Sequence, residues 1–132
     1  MQITTPLSDE LGRYLDLSGL ELKLTAQNMA NVDVPGYRTV GFDFAEAMKQ
    51  QMGEALAERG NGAAAGGAGA EAGLDGVDVV KVDGLVERPD GNNVSMDREG
   101  MKMAEAQLKF RVGEELLKHQ FSRVMDAIHE DK

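Results

Sequence analysis

Helical periodicity dominates both ends of this 132-residue chain, and the first helical pattern is stopped by a Pro35-Gly36 pair. Proline disfavours helical geometry at the residue before it, and Gly36 permits the turn that follows. The pattern therefore predicts a long first helix from about Ser8 to Ala30, with Ser8 or Asp9 as its N-cap.

The first predicted helix carries two apolar stripes, whereas a helix on the outside of a lone domain usually carries one. At roughly 100° per residue, Leu17, Leu20 and Leu24 lie on one face. The other stripe lies on a nearly opposite face and is interrupted by Ser18 and Thr25. It consists of Leu7, Leu11, Leu15, Leu22 and Met29.

The last predicted helix is the longest element, from about Asp97 to His129. Its apolar residues recur every seven positions over about four heptads, which is the pattern of a coiled-coil seam. The seam consists of Met103, Phe110, Leu117 and Val124, flanked by Phe121 and Ile128. A second stripe on the opposite face of its first half consists of Met101, Leu108, Val112 and Leu116. We predict a mainly α fold whose long terminal helices pair as a coiled-coil-like bundle.

Between the terminal helices, the sequence predicts one short helix and a small β-hairpin or loop region. The short helix, from Phe42 or Asp43 to about Arg59, has an apolar face of Phe44, Met48, Met52 and Leu56. The Gly/Ala-rich stretch is predicted to be a flexible loop, because glycine loses much backbone entropy on ordering. Residues 77–82 suit a short strand, with 86–88 as its candidate partner across a turn.

These elements divide the chain into five segments, of which the first and last form one assembly domain. They are 1–37 (N-terminal helix and Pro-Gly-Tyr turn), 38–59 (short helix), 60–76 (flexible loop), 77–96 (short strands and turn) and 97–132 (C-terminal helix).

Composition and charge exclude several classes of function. A net charge of −9 argues against sequence-independent nucleic-acid binding and against docking to an anionic membrane surface. No apolar run is long enough to span a bilayer. The chain has no Cys, which excludes disulfides and thiolate chemistry. The first residues lack the features of a secretory signal, so we expect a cytosolic protein or one exported without a cleaved signal.

No catalytic, cofactor or metal site is predicted. The two histidines, His119 and His129, lie on different helix faces, and Glu115 with His119 suits a solvated charged pair better than half a metal site. The glycine-rich run lacks the Gly-Lys-Ser/Thr ending of a phosphate-binding loop. Residues 90–94 begin like a calcium loop, but Val94 occupies a ligand position. We therefore expect a protein that is not an enzyme.

The segment Asn28-Met29-Ala30-Asn31-Val32-Asp33-Val34-Pro35-Gly36-Tyr37 resembles a motif of bacterial flagellar axial proteins, the rod and hook subunits. Its signature residues are Asn28, Ala30, Asn31, Pro35, Gly36 and Tyr37. One departure is Val34, where the family commonly has Thr. Residues 42–44 and the stretch from 90 to the C-terminus, above all 90–99, resemble basal-body rod proteins of the proximal-rod type.

This resemblance implies a structural subunit that polymerises through its terminal helices into the proximal part of the torque-transmitting flagellar rod. Subunits of this family leave the cytoplasm through the flagellar type III export apparatus without signal cleavage. They then assemble in the periplasm with copies of themselves and other rod proteins. The assembly seam expected here consists of Leu11, Leu15, Leu22, Met29, Met103, Phe110, Leu117, Phe121, Val124 and Ile128.

The segment 44–48 also resembles the element by which early rod and hook subunits engage the export gate. Its key residues would be Phe44 and Met48, but their spacing favours one turn of a core stripe. Periodicity alone also leaves open a closed bundle in which every stripe has an intramolecular neighbour. A second class of function remains open too: a soluble cytoplasmic helical adaptor or export-chaperone-like protein that binds a partner helix in an apolar groove.

Overall fold

The computed structural model describes residues 5–60 and 76–129. The elements, in chain order, are α1 (Pro6–Ala30), β1 (Val40–Gly41), α2 (Phe44–Gly60), β2 (Val80–Lys81) and α3 (Met96–His129). The predicted mainly α fold with long, paired terminal helices is confirmed. Most of the Gly/Ala-rich stretch predicted as a flexible loop, residues 61–75, lies outside the described residues.

Helix α1 begins one turn earlier than predicted, because Thr5 rather than Ser8 or Asp9 is its N-cap. The Thr5 hydroxyl accepts from the Ser8 N–H at 3.2 Å, and the Ser8 hydroxyl accepts from the Thr5 N–H at 2.9 Å. This reciprocal pair satisfies two backbone donors at the helix start. Pro6 stands in the first turn, where its missing N–H costs nothing.

The terminal helices are antiparallel. Gln120 donates to the Thr5 hydroxyl at 3.2 Å, Lys109 contacts Glu21 at 3.1 Å, and Asn28 donates to Glu99 at 3.0 Å. Past Gln120, α3 continues for more than two turns, or about 13 Å at 1.5 Å per residue, beyond the described start of α1.

The buried face of α1 lies between the two predicted stripes. It takes Leu11 from one stripe and Leu17 and Leu24 from the other. Small polar residues fill the centre of this face: Ser18 and Thr25 are buried, and their hydroxyls donate to backbone carbonyls one turn earlier at 2.7 and 2.8 Å. The buried face of α1 therefore draws on residues of both predicted stripes.

Close packing explains why small residues occupy the centre of the contact between α1 and α3. On α3, the residues that face α1 include Ala106, which is fully buried, and Gly113. A Cβ added at Gly113 would lie 2.9 Å from Leu15 Cδ2 and 3.0 Å from Tyr14 Cδ1. The two helices can approach this closely only because α3 has no side chain there.

Helix α2 packs along α1 on a different side from α3. The Phe44 ring meets Tyr14 edge-on at 5.4 Å, and the Arg13 guanidinium donates to the Gln51 carbonyl at 2.6 Å. The Asp43 carboxylate accepts from the Glu46 N–H at 3.0 Å and so caps the start of α2. None of the helices in the described part of the chain has the length and apolarity needed to cross a bilayer.

The two-stranded sheet is antiparallel. The predicted pairing of residues 77–82 with residues 86–88 was wrong. Val80–Lys81 pairs with Val40–Gly41, which follows the Pro-Gly-Tyr turn, and not with 86–88. The Asn93 side chain holds this arrangement, because its amide oxygen accepts from the Thr39 N–H at 2.7 Å and its amide nitrogen donates to the Val82 carbonyl at 3.4 Å.

Candidate assembly site

The two motifs that carry the family resemblance, 28–37 and 90–99, meet in one cluster of buried polar side chains. We call this cluster the polar junction. It consists of Asn28, Thr39, Asn92, Asn93 and Glu99, none of which is more than 3% exposed. It joins the end of α1 to the start of α3 and to β1.

Asn28 uses its full hydrogen-bonding capacity in the polar junction. Its amide nitrogen donates to the Val40 carbonyl at 2.8 Å and to the Glu99 carboxylate at 3.0 Å. Its amide oxygen accepts from the Val40 N–H and from the Tyr37 hydroxyl, both at 3.0 Å. The side chain therefore engages both backbone groups of Val40, as a neighbouring strand would.

Asn92 caps the carboxyl end of α1 from a distant part of the chain. Its amide nitrogen lies 3.0, 3.1 and 2.8 Å from the carbonyl oxygens of Asn31, Val32 and Val34. The Arg88 guanidinium also donates to the Val32 carbonyl. The Asn31 and Val34 carbonyls also accept backbone N–H groups within the turn, so the Asn92 side chain adds a tie between the residues that follow α1 and those that precede α3.

Glu99 brings a fully buried carboxylate into the first turn of α3. Arg98 Nη2 lies 3.2 Å from one carboxylate oxygen, and Asn28 donates to the other. Arg98 also reaches the Thr39 hydroxyl at 3.4 Å. The charge is thus paired and hydrogen-bonded, and its place near a helix N-terminus is favourable for an anion.

Two glycines allow the motifs to touch. Gly36 and Gly91 have φ of +74° and +84°, which other residues rarely adopt. The Gly36 N–H donates to the Asp90 carbonyl at 2.9 Å, and a Cβ at Gly91 would lie 3.3 Å from Gly36 Cα. The other signature residues, Ala30 and Pro35, are exposed.

The polar junction has the character of a structural clamp. Among the described residues, no three His, Cys, Asp or Glu side chains are grouped so that they could hold a metal ion. Glu115 and His119 form an exposed pair at 3.8 Å. The buried hydrogen bonds of the junction tie the end of α1 to the start of α3 and can fix the angle between these helices.

The predicted assembly seam is only partly covered within the chain. On α1, Leu11 is buried and Leu15, Leu22 and Met29 are half-buried. On α3, Met103, Leu117 and Val124 are half-buried, whereas Phe110, Phe121 and Ile128 are 38%, 53% and 54% exposed. The most exposed members lie on the part of α3 that extends past α1.

The second predicted stripe on α3 is exposed along its length. The exposed fractions of Met101, Leu108, Val112 and Leu116 are 75%, 64%, 45% and 51%. Helix α3 thus has apolar surface on both sides of its contact with α1. Exposed apolar surface of this kind is a candidate for contact with another protein.

An open apolar groove runs between α1 and α2. It is lined mainly by Tyr14, Phe44, Met48, Met52 and Leu56. Towards the start of α1, an adjoining hollow shares Met52 and Leu56 and carries Asp9, Glu10 and Arg13. The two residues of the predicted export-gate element, Phe44 and Met48, therefore lie in this groove and are half-buried.

Lys109 links all three helices at one end of this groove. Its ammonium lies 4.5 Å from the Phe44 ring centroid, 3.1 Å from Glu21 and 2.9 Å from Glu105. Burial alone lowers the pKa of Lys109, but hydrogen bonds and attraction from Glu105 and Glu21 outweigh it, so the pKa is raised. The hydrogen bond from Lys109 lowers the pKa of Glu105.

Sequence reasoning missed most of the polar junction. Of its members, only Asn28 was a predicted site residue, while Thr39, Asn92, Asn93 and Glu99 were not. The available signal was weak: the paired asparagines after Gly91 suited an ordinary turn, and an acidic residue in a first helical turn is common.

Comparison with known proteins agrees with the resemblance of the two motifs. No protein-family model matches the chain. The chain is 32% identical over 119 residues to the flagellar basal body rod protein FlgB of Salmonella typhimurium, in an alignment that covers 86% of each chain.

Proposed function

Because the chain belongs to the FlgB family of flagellar basal-body rod proteins, we propose that it is a structural subunit that polymerises through α1 and α3. The polymer is the proximal part of the torque-transmitting rod. Its partners are copies of itself and other rod proteins, and its role is not enzymatic.

The exposed apolar surface of α3 is the observation that carries this proposal. Past the described start of α1, Phe121, Met125 and Ile128 are each more than half exposed and follow one another at helical spacing. Burying apolar surface against a neighbour gains about 25 cal/mol per Å². A subunit that leaves such a surface open is suited to assembly.

The polar junction supplies the stiffness that a drive shaft needs. A subunit that transmits torque must hold its two long helices at a constant angle under load. Asn28, Asn92 and Glu99 clamp the end of α1 to the start of α3 through buried hydrogen bonds, which rigidify a structure when all their partners are present.

The proposal includes export through the flagellar type III apparatus without signal cleavage, followed by assembly in the periplasm. Phe44 and Met48 would be the contact with the export gate. In the folded chain Phe44 packs on Tyr14 and lies under Lys109. Recognition at the gate would therefore precede the packing of α2 on α1.

The test is mass spectrometry of hook–basal bodies purified in detergent from the source bacterium, with a gene-deletion strain as the control. We expect the chain to be enriched with rod and ring proteins, and we expect the deletion strain to be non-motile until it is complemented. Recovery of the chain only in the soluble cytoplasmic fraction would contradict the proposal and favour the adaptor.

A further inference from the structure

Helix α2 buries little of its own surface. Of its described side chains, only Ala47 and Gln51 are buried, whereas the apolar residues Met52 and Leu56 are 37% and 65% exposed. We infer that α2 opens from α1 as a unit while α1 and α3 stay paired, and that the Arg13 guanidinium is the catch that holds α2 closed.

Two adjacent side chains of α1 make specific contacts with α2. The Arg13 guanidinium donates to the Gln51 carbonyl at 2.6 Å, and the Tyr14 ring meets the Phe44 ring edge-on at 5.4 Å. Helix α3 reaches α2 through the Lys109 ammonium, which lies over the Phe44 ring at 4.5 Å. A hydrogen bond from a charged donor is stronger than one between neutral groups, so Arg13 is the main polar attachment of α2 to α1.

The sequence of α2 also weakens the helix. Gly53 stands in its interior, and a Cβ added there would meet no atom within 4 Å, so packing does not explain the glycine. Glycine in a helix interior is less stable than alanine because it loses more backbone freedom. A single helix of this length is marginal in water without tertiary contacts. Loss of the contacts with α1 would therefore loosen α2 as a whole.

The pairing of α1 with α3 has its own attachments. Asn28 donates to Glu99 at one end of the pair, and Gln120 donates to Thr5 at 3.2 Å towards the other. Between these ends, the missing side chain at Gly113 allows the two helices to approach closely. Proteins commonly open at a weakly packed element while the rest of the fold stays intact.

The chain before α2 is fixed, which gives the opening a defined pivot. Asn28 binds both backbone groups of Val40 in β1, and this anchor does not involve α2. Only residues 42–43 lie between β1 and α2, so the pivot lies in this connection. On its other side, α2 shares a small hollow with residues 77–78, which the opening would also uncover.

Opening of α2 would uncover the predicted export-gate element. Phe44 and Met48 are half-buried in the groove between α1 and α2 while α2 is closed. The folded chain could then present both side chains without separating its terminal helices. This consequence for export rests on the proposed function, whereas the opening is a property of the isolated chain.

Because the chain has no Cys, thiol labelling of the purified protein can measure the opening. Ala47→Cys places a thiol at a buried position of α2, and Ser18→Cys places one at a buried position of α1 in the contact with α3. A buried thiol reacts with dithiobis(nitrobenzoate) only when its surroundings open. We expect Ala47→Cys to react at least about tenfold faster than Ser18→Cys under native conditions. Equal rates would overturn the inference, because α2 would then open only with the whole fold.

Arg13→Met tests the catch, because methionine keeps an apolar stem and loses the bond to the Gln51 carbonyl. We expect this change to speed the labelling of Ala47→Cys about five- to tenfold and to leave the labelling of Ser18→Cys unchanged. Lys23→Met replaces an exposed lysine on α1 and is the control, which should change neither rate. No acceleration with Arg13→Met, or an equal acceleration at both positions, would overturn the inference.

Hydrogen exchange of the unmodified chain, followed by mass spectrometry, gives a measurement that no substitution can disturb. Relative to their rates in the unfolded chain, the amides of α2 should exchange at least about tenfold faster than those of α1 and α3. The same protection in all three helices would overturn the inference. A chain that shows the opening but is absent from basal bodies would contradict the proposed function and leave the opening intact.

Discussion

The Asn28 side chain donates to the Glu99 carboxylate at 3.0 Å across 71 positions of sequence, and both side chains are excluded from solvent. This bond ties the last turn of α1 to the first turn of α3. The hairpin of terminal helices is therefore anchored at one end by buried polar contacts, while the opposite end of α3 is left open to neighbours.

Asn28→Ala should destabilise the fold by about 3 kcal/mol, because it leaves the Glu99 carboxylate and the Val40 backbone short of partners in a buried site. Equilibrium unfolding in urea, followed by circular dichroism, measures the change. The matched control is Asn31→Ala, since Asn31 is half-buried and, within the described part of the chain, its side chain donates only to the Gln27 carbonyl, at 2.7 Å. The control should lose less than about 1 kcal/mol. Equal losses of unfolding free energy in the two variants would show that Asn28 contributes no more than any asparagine at the end of α1. Its bonds to Glu99 and Val40 would then add no stability.

The paired terminal helices could be predicted because apolar periodicity extends over the full length of both. The Pro35-Gly36 stop was equally visible, because each residue restricts or frees the backbone in a known way. The buried face of α1 could not be derived in the same way. It depends on Ala106 and Gly113 of α3, whose small size matters only once the two helices are side by side.

The polar junction was beyond prediction for a different reason. The hydrogen bonds of Asn28, Asn92 and Glu99 follow no repeating pattern in the sequence. They join residues that are far apart in the chain. The strand partner was mispredicted for the same reason. Residues 80–81 pair with 40–41 because Asn93 brings Thr39 and Val82 together.

Gly113→Leu should destabilise the pairing of α1 and α3 by about 1–3 kcal/mol, because the new side chain must displace Leu15 and Tyr14. Gly100→Leu in the same helix is the matched control, since an added Cβ there meets no atom within 4 Å. The control should gain about 0.8 kcal/mol from helix propensity. Thermal unfolding of both variants gives the comparison, and a stabilised Gly113→Leu protein would contradict the close contact.

Glu105→Gln should lower stability at neutral pH and have no effect in acid. The folded-state pKa of Glu105 lies below its ordinary value of 4.5 because of Lys109. The ion pair between Glu105 and Lys109 therefore stabilises the fold at pH values above the ordinary pKa of glutamate. This stabilisation is lost as the pH falls through the folded-state pKa of Glu105. Since the side chain is 61% exposed, the expected loss at pH 7 is only about 0.3–0.5 kcal/mol.

Urea unfolding of both proteins at neutral pH and well below pH 4 measures this difference. Glu114→Gln is the control, because Glu114 is exposed and has no ion pair in the described part of the chain. A Glu105→Gln penalty that persists in acid would mean that the side chain acts through packing and not through its charge.

Leu117→Asp should abolish rod assembly without reducing the amount of protein made, because it places a charge in the assembly seam. Since Leu117 is half-buried and the substitution could also weaken the fold, Phe121→Asp is the sharper variant. Phe121 is 53% exposed and lies beyond the described start of α1. The unfolding curve of the Phe121→Asp protein should therefore match that of the wild type. Soft-agar motility and recovery in basal bodies are the measurements, with Val86→Asp as an exposed control that stays motile. Wild-type motility of cells that carry Phe121→Asp would show that the end of α3 around Phe121 is not part of the assembly surface.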